Sequence, residues 1–289
     1  MWEETVKPDA PYNFSQALDR MSIDPLLKYD ADKRIVHVPV AAGGVPAVIT
    51  VQSLGDTDSP QFKVSGSDKS LKEDALKQVS AIFQWETPLG PIMDHFQDTE
   101  LGPLFKAFRG TPLVRDFSLY GCLMKCIIHQ QLNMSFAYTL SSRFKKTFGF
   151  EIDGVWFYPS PETVKDLPYE ALQDLQFSRR KAEYVIDLSK AVYEGSLQLK
   201  QLEQMDDETV IKALTAYRGI GPWTAENMLL FGLGRPNLLP KADIGIQNAI
   251  KKLYGMEKKP NAAQIEELGS EWEPYLSYAS LYLWRSIET

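Results

Sequence analysis

Cysteine and histidine are scarce in this chain of 289 residues, with two of the first and three of the second. Cys122 and Cys126 stand four apart with no cysteine beyond them, so a four-cysteine iron–sulfur loop is excluded and a zinc site lacks ligands. Both thiols are expected to be buried, small apolar side chains in a reducing compartment. No apolar run reaches 18 residues, and Met1-Trp2-Glu3-Glu4-Thr5 has neither the basic start nor the hydrophobic stretch of an export signal. A cytoplasmic protein without a membrane partner is the expectation. Positive charge is also short: the formal net charge is -7, which argues against a protein that coats nucleic acid nonspecifically. Neither repeats nor low-complexity tracts occur.

Two basic clusters survive that deficit, Arg143-Phe144-Lys145-Lys146 and Arg179-Arg180-Lys181. They are either local phosphate contacts or ordinary solvated helix ends. Residues 34–64 alternate loosely between apolar and polar, with Gly and Asp turns, and predict antiparallel strands. An amphipathic helix is expected over 70–84, giving an α+β amino-terminal domain. From Leu101 onward the pattern reads as helical.

The most informative stretch spans Leu214 to Met228. Apolar side chains at Val210, Ile211, Leu214 and Ala216, and again at Trp223, Ala225, Met228, Leu229 and Phe231, predict two helices meeting across Arg218-Gly219-Ile220-Gly221. Two glycines permit a tight backbone path. The amides opening the second helix are then free to hold a phosphate oxygen. Downstream, Leu239-Pro240-Lys241-Ala242-Asp243 places a carboxylate at the start of an apolar-periodic run, Ile244 to Ile250. Asp243 is an N-cap by position. An ionised carboxylate there also has the chemistry to stabilise positive charge on a sugar and to orient water.

These linked segments resemble the helix-hairpin-helix and catalytic aspartate of the base-excision DNA glycosylases, in particular the alkylpurine glycosylases of the AlkA type. The resemblance covers about residues 100–289 and implies an all-α glycosylase fold of two helical subdomains after the α+β domain. The implied segments are an amino-terminal domain over 1–97 and a linker over 98–117 that packs with the carboxyl-terminal subdomain. A hairpin-bearing subdomain over 118–235 and a carboxyl-terminal subdomain over 236–289 with Asp243 follow. It further implies Asp243 as the catalytic residue, and Trp223 and Trp284 as pocket aromatics. Gly219, Gly221 and Thr224 would grip DNA, with Arg179 and Lys181 approaching it. Carbonyls of Thr215, Tyr217 and Ile220 would hold a structural sodium or potassium ion, and no cofactor is required.

Relatives that also cleave the strand carry Lys where this chain has Trp223, so the resemblance implies a monofunctional enzyme that uses water. Alkylated purines arrive already cationic and need little general acid, which suits a lone aspartate; Glu226 remains open as a second acid. Asn227 departs from the aromatic of the family pattern, and a polar side chain there alters which bases fit. By the same match Gln131 fills the gap left by an extruded base, with Leu132 as the runner-up or a core residue. His129 reads as a satisfied polar side chain. Damaged duplex DNA is the expected partner of a monomer that needs no obligate protein partner. Rival readings are a glycosylase for oxidised or deaminated bases, a noncatalytic DNA-binding hairpin and a nucleoside glycosidase.

Overall fold

The computed structural model describes residues 1–288. Five strands, β1 (Trp2–Val6), β2 (Tyr29–Asp30), β3 (Ile35–Ala42), β4 (Val45–Ser53) and β5 (Phe62–Gly66), form one antiparallel sheet in the order β1-β5-β4-β3-β2. Gly43 and Gly44, both at positive φ (57° and 81°), close the β3–β4 hairpin, as its two-residue turn demands. Val36, Val38 and Val40 of β3, Ile49 and Val51 of β4, and Phe62 and Val64 of β5 are buried. Together with α1 (Phe14–Met21) and Ala75, Val79, Ile82 and Phe83 of α2 (Lys72–Phe83) they form the amino-terminal core. Sequence periodicity misses β1, because only Trp2 of its five residues is buried and an edge strand with one inward side chain shows no alternation.

The remainder is helical: α3 (Leu89–Phe96), α4 (Gly102–Ala107), α5 (Leu119–His129), α6 (Met134–Phe148), α7 (Pro161–Val164), α8 (Tyr169–Gln173), α9 (Arg179–Tyr193), α10 (Asp207–Thr215) and α11 (Pro222–Asn227). Helix α11 runs on into a π-helical stretch, Met228–Leu233. Then come α12 (Ile244–Leu253), α13 (Ala262–Gly269) and α14 (Leu276–Arg285). The helices form two subdomains, and the segment after α3 joins the second. Phe96, Phe105 and Tyr282 stack with centroids 4.1 and 3.7 Å apart, and Tyr282 Oη accepts from Thr111 N at 3.1 Å.

One hairpin interrupts the helices, contrary to the helical expectation beyond Leu101. β6 (Phe150–Ile152) and β7 (Val155–Phe157) pair across Asp153-Gly154, at φ 50° and 78°. That dipeptide suits a turn with both central residues left-handed, and so a strand pair forms inside a helical tract. Lys28 Nζ donates to Asp153 O at 2.6 Å, and Lys145, almost wholly buried, pairs with Asp24 at 2.6 Å. Both contacts tie the sheet domain to the helices.

Candidate active site

Asp243 caps α12 as its position requires, Oδ1 accepting from Ile246 N at 3.0 Å. Two further donors converge on the same carboxylate. Trp284 Nε1 reaches Oδ1 at 2.9 Å, and Trp223 Nε1 reaches Oδ2 at 3.2 Å. Three N–H groups thus fix both oxygens of one anion, and hydrogen bonds to a charged acceptor are among the stronger ones. Asn227 donates to Trp223 O at 2.8 Å, one helical turn back. The indoles were expected as pocket walls; holding the aspartate is a second task that spacing alone did not show.

Gly245 makes this approach possible. A Cβ at that position would lie 2.9 Å from Asp243 Oδ1 and 2.9 Å from Trp284 Cδ1. Sequence reasoning passed over it, since a glycine in the first turn of a helix otherwise only lowers helix propensity.

At the hairpin, Gly219 has φ +94°, and a Cβ there would come within 2.4 Å of the Tyr184 ring. Gly221, by contrast, faces open space and precedes Pro222, the first residue of α11. Pro has no N–H to offer, so the amides of Gly221, Trp223 and Thr224 are the donors at this corner. Gln130 Nε2 ties the corner to α5, donating to Gly219 O and to Thr224 Oγ1, each at 2.8 Å.

The α5–α6 turn carries Gln131, exposed and at φ +57°, while Leu132 packs against the core. A cleft of about 1950 Å³ is lined by Asp243, Trp223, Trp284, Asn227 and Gly245, by Gly219, Gly221 and Thr224, and by Gln131, Leu132 and Lys181. Arg179, Thr215 and Tyr217 lie outside that lining.

Residues 124–274 match the family described as HhH-GPD superfamily base excision DNA repair protein. The chain belongs to the HhH-GPD superfamily. Its branch is the AlkA-type DNA-3-methyladenine glycosylase II family, and at the level of the superfamily it is a DNA glycosylase acting on damaged bases. The HhH-GPD chain is 53% identical over 290 residues, all of both chains, to "Putative DNA-3-methyladenine glycosylase YfjP" of Bacillus subtilis (strain 168). It is 28% identical over 268 residues to a second protein of that organism, named DNA-3-methyladenine glycosylase, covering 89% of this chain and 88% of the other. In fold it is similar to a 3-methyladenine DNA glycosylase from Archaeoglobus fulgidus, with TM-score 0.83 and 22% identity over 98% of this chain and 97% of that one.

Around the cleft of this HhH-GPD protein several titratable groups are already committed. Lys181 Nζ donates to Ile128 O at 2.5 Å and Gln130 O at 2.9 Å. It was expected to approach DNA. Its ammonium closes the carbonyl end of α5, just before Gln131 in the chain, because those carbonyls have no intrahelical partner, while the residue still lines the cleft. Burial lowers it to about 8. Arg179 pairs with Glu183 at 3.3 Å, and Arg218 of the hairpin pairs with the same carboxylate at 2.7 Å. Burial pulls the His129 imidazole down to about 3, with the Lys125 charge adding to it, and its Nε2 meets Ser141 Oγ at 2.9 Å; it is neutral.

Glu226 lies outside the lining. Burial raises its carboxyl, Lys241 lowers it and the charge of Asp243 raises it again. Asp116 and Lys125 form a partly buried ion pair. Burial pushes the Asp116 carboxyl up, but Lys125 more than compensates and holds it below the usual range. Among the described residues no His/Cys/Asp/Glu cluster fit for a metal ion occurs, and no helix is long and apolar enough to cross a membrane.

Proposed function

We propose that this chain is a monofunctional glycosylase that hydrolyses the N-glycosidic bond of alkylated purines, of the 3-methyladenine and 7-methylguanine type, in duplex DNA. The observation that carries this reading is the fixation of Asp243 by three N–H donors at the mouth of an aromatic-walled cleft. An anion held rigidly needs no reorganisation when positive charge grows on deoxyribose as the C1′–N bond breaks. Water, oriented by the same carboxylate, then attacks C1′. With Trp223 at the hairpin no amine is present there to attack instead. A cationic purine leaves without a proton donor, which agrees with Glu226 standing outside the cleft. The two Bacillus subtilis relatives that the chain matches along most of their length are named for 3-methyladenine.

Around that centre, Gln131 fills the space of the extruded nucleotide, its left-handed backbone presenting it from the turn that Lys181 braces. Hairpin amides at Gly221, Trp223 and Thr224 hold a phosphate. A sodium or potassium ion fits the carbonyls of Thr215, Tyr217 and Ile220. Of these only Tyr217 O accepts a backbone hydrogen bond, from Ile220 N at 3.1 Å. The ion, when bound, supplies fixed positive charge beside that phosphate.

The test is release of free base from methylated duplex DNA by wild type and Asp243→Asn side by side, with strand breaks scored before and after alkali. Asn caps a helix as well as Asp does, so the variant should fold normally and release base on the order of 100- to 1,000-fold more slowly. Strands should stay intact until alkali. Equal release by both proteins would overturn the role of Asp243. Release by neither, with duplex binding retained, would move the substrate to neutral lesions.

A further inference from the structure

Helix α1 belongs to the sheet domain, yet one face of it belongs to the cleft. Gln16, Asp19 and Arg20 are spaced i, i+3 and i+4, so they share a side of the helix. Arg285 of α14 grips the first two: Nε and Nη2 donate to Gln16 Oε1 at 3.1 and 2.6 Å, and Nη2 lies 3.1 Å from Asp19 Oδ2. That clamp sets the third. The Arg20 guanidinium carbon stands 3.7 Å from the centroid of Phe231, and Phe231 lies 5.8 Å from Trp284, the ring that holds Asp243. Arg20, Phe231, Trp284 and Asp243 line one cleft.

Arg20 is half-buried and, among the described residues, has no hydrogen bond or ion pair, whereas nearby Lys125 is paired with Asp116. A guanidinium laid on an aromatic face is restrained in direction, and none of its N–H donors is taken by another described residue of the protein. What satisfies such a fork is an acceptor on the edge of a planar ligand. Guanine presents one at O6; adenine presents an N6 amino donor in the equivalent place. The two methylated purines carry the same positive charge, so repulsion by Arg20 bears on both alike. The edge is what differs.

We propose that Arg20, contributed by the amino-terminal domain, is a specificity-determining residue that donates to the O6 carbonyl of an extruded guanine-type base. It thereby favours 7-methylguanine over 3-methyladenine. The proposal rests on the alkylpurine reading above.

Duplex DNA treated with a methylating agent holds both bases, so one digest yields their release ratio, from which the fraction of folded enzyme cancels. Arg20→Ala should lower the initial-rate ratio of 7-methylguanine to 3-methyladenine by roughly tenfold, the worth of one well-placed base-edge contact. Arg20→Lys keeps stem and charge but lacks the planar fork; the same fall is expected there, and it serves if the alanine variant does not fold. An unchanged ratio in both variants would overturn the proposal and leave Arg20 as packing between domains. Release of neither base by wild type would instead overturn the alkylpurine reading, and this inference with it.

Discussion

Trp284 and Asp243 are joined by one hydrogen bond, indole Nε1 to carboxylate Oδ1 at 2.9 Å, across a residue that has no side chain, Gly245. The bond stiffens the carboxylate proposed above to face the developing positive charge. It also engages the indole N–H, leaving the ring's face and not its edge to meet a base.

Replacing Trp284 by Phe keeps an aromatic ring beside Phe231 and deletes the donor. A hydrogen bond to a charged group contributes about 1.5–3 kcal/mol. Single-turnover base release should therefore slow about 10- to 100-fold, with an unchanged far-ultraviolet spectrum. A rate equal to wild type would show that Trp223 and Ile246 hold Asp243 unaided.

The two hairpin glycines should separate folding from binding. In Gly219→Ala the new Cβ meets the Tyr184 ring at a backbone conformation unsuited to L-residues, so a loss of about 1–3 kcal/mol in denaturant unfolding is expected. Gly221→Ala meets nothing within the protein and should change stability by less than about 0.5 kcal/mol. Its methyl group points where a phosphate is proposed to dock, so duplex affinity should fall. Unaltered affinity would place the phosphate elsewhere.

His129 predicts acid lability of known sign. Its folded value, about 3, lies below the ordinary histidine value of 6.5. Between those two, the unfolded chain binds a proton that the native protein refuses, so stability falls as pH drops through that window, by up to about 1.4 kcal/mol per unit. Denaturation curves from pH 7 to pH 4 should show a shallower decline in His129→Gln. Parallel curves for the two proteins would rule out His129 as the cause.

What could be read from the chain and what could not divide along sequence distance. Asp243 and the hairpin glycines announce themselves locally, because a cap and a turn act on residues within a few positions. Arg20 gives no signal: its meaning depends on Phe231, 211 residues further along the chain. Lys181 sat in a cluster that suggested phosphate contact, and only the neighbouring helix end, 51 residues earlier, shows what its ammonium serves. The Asp153-Gly154 turn was legible in kind but overlooked amid helical periodicity, and the π stretch at Met228–Leu233 differs too little in period to stand out. Residue type and position point to the faces of Trp223 and Trp284, whereas the structure also uses their edges, as donors to Asp243.

Gln16 and Arg285 are 269 residues apart, and their contact makes completion of the cleft depend on α1 meeting α14. A chain lacking the last turn of α14 would have the hairpin and the aspartate but neither the clamp on α1 nor the indole bond to Asp243. The seating of α1 and the steadying of Asp243 therefore come from two adjacent residues of one helix, so disturbing that single turn of α14 would loosen both sides of the cleft together.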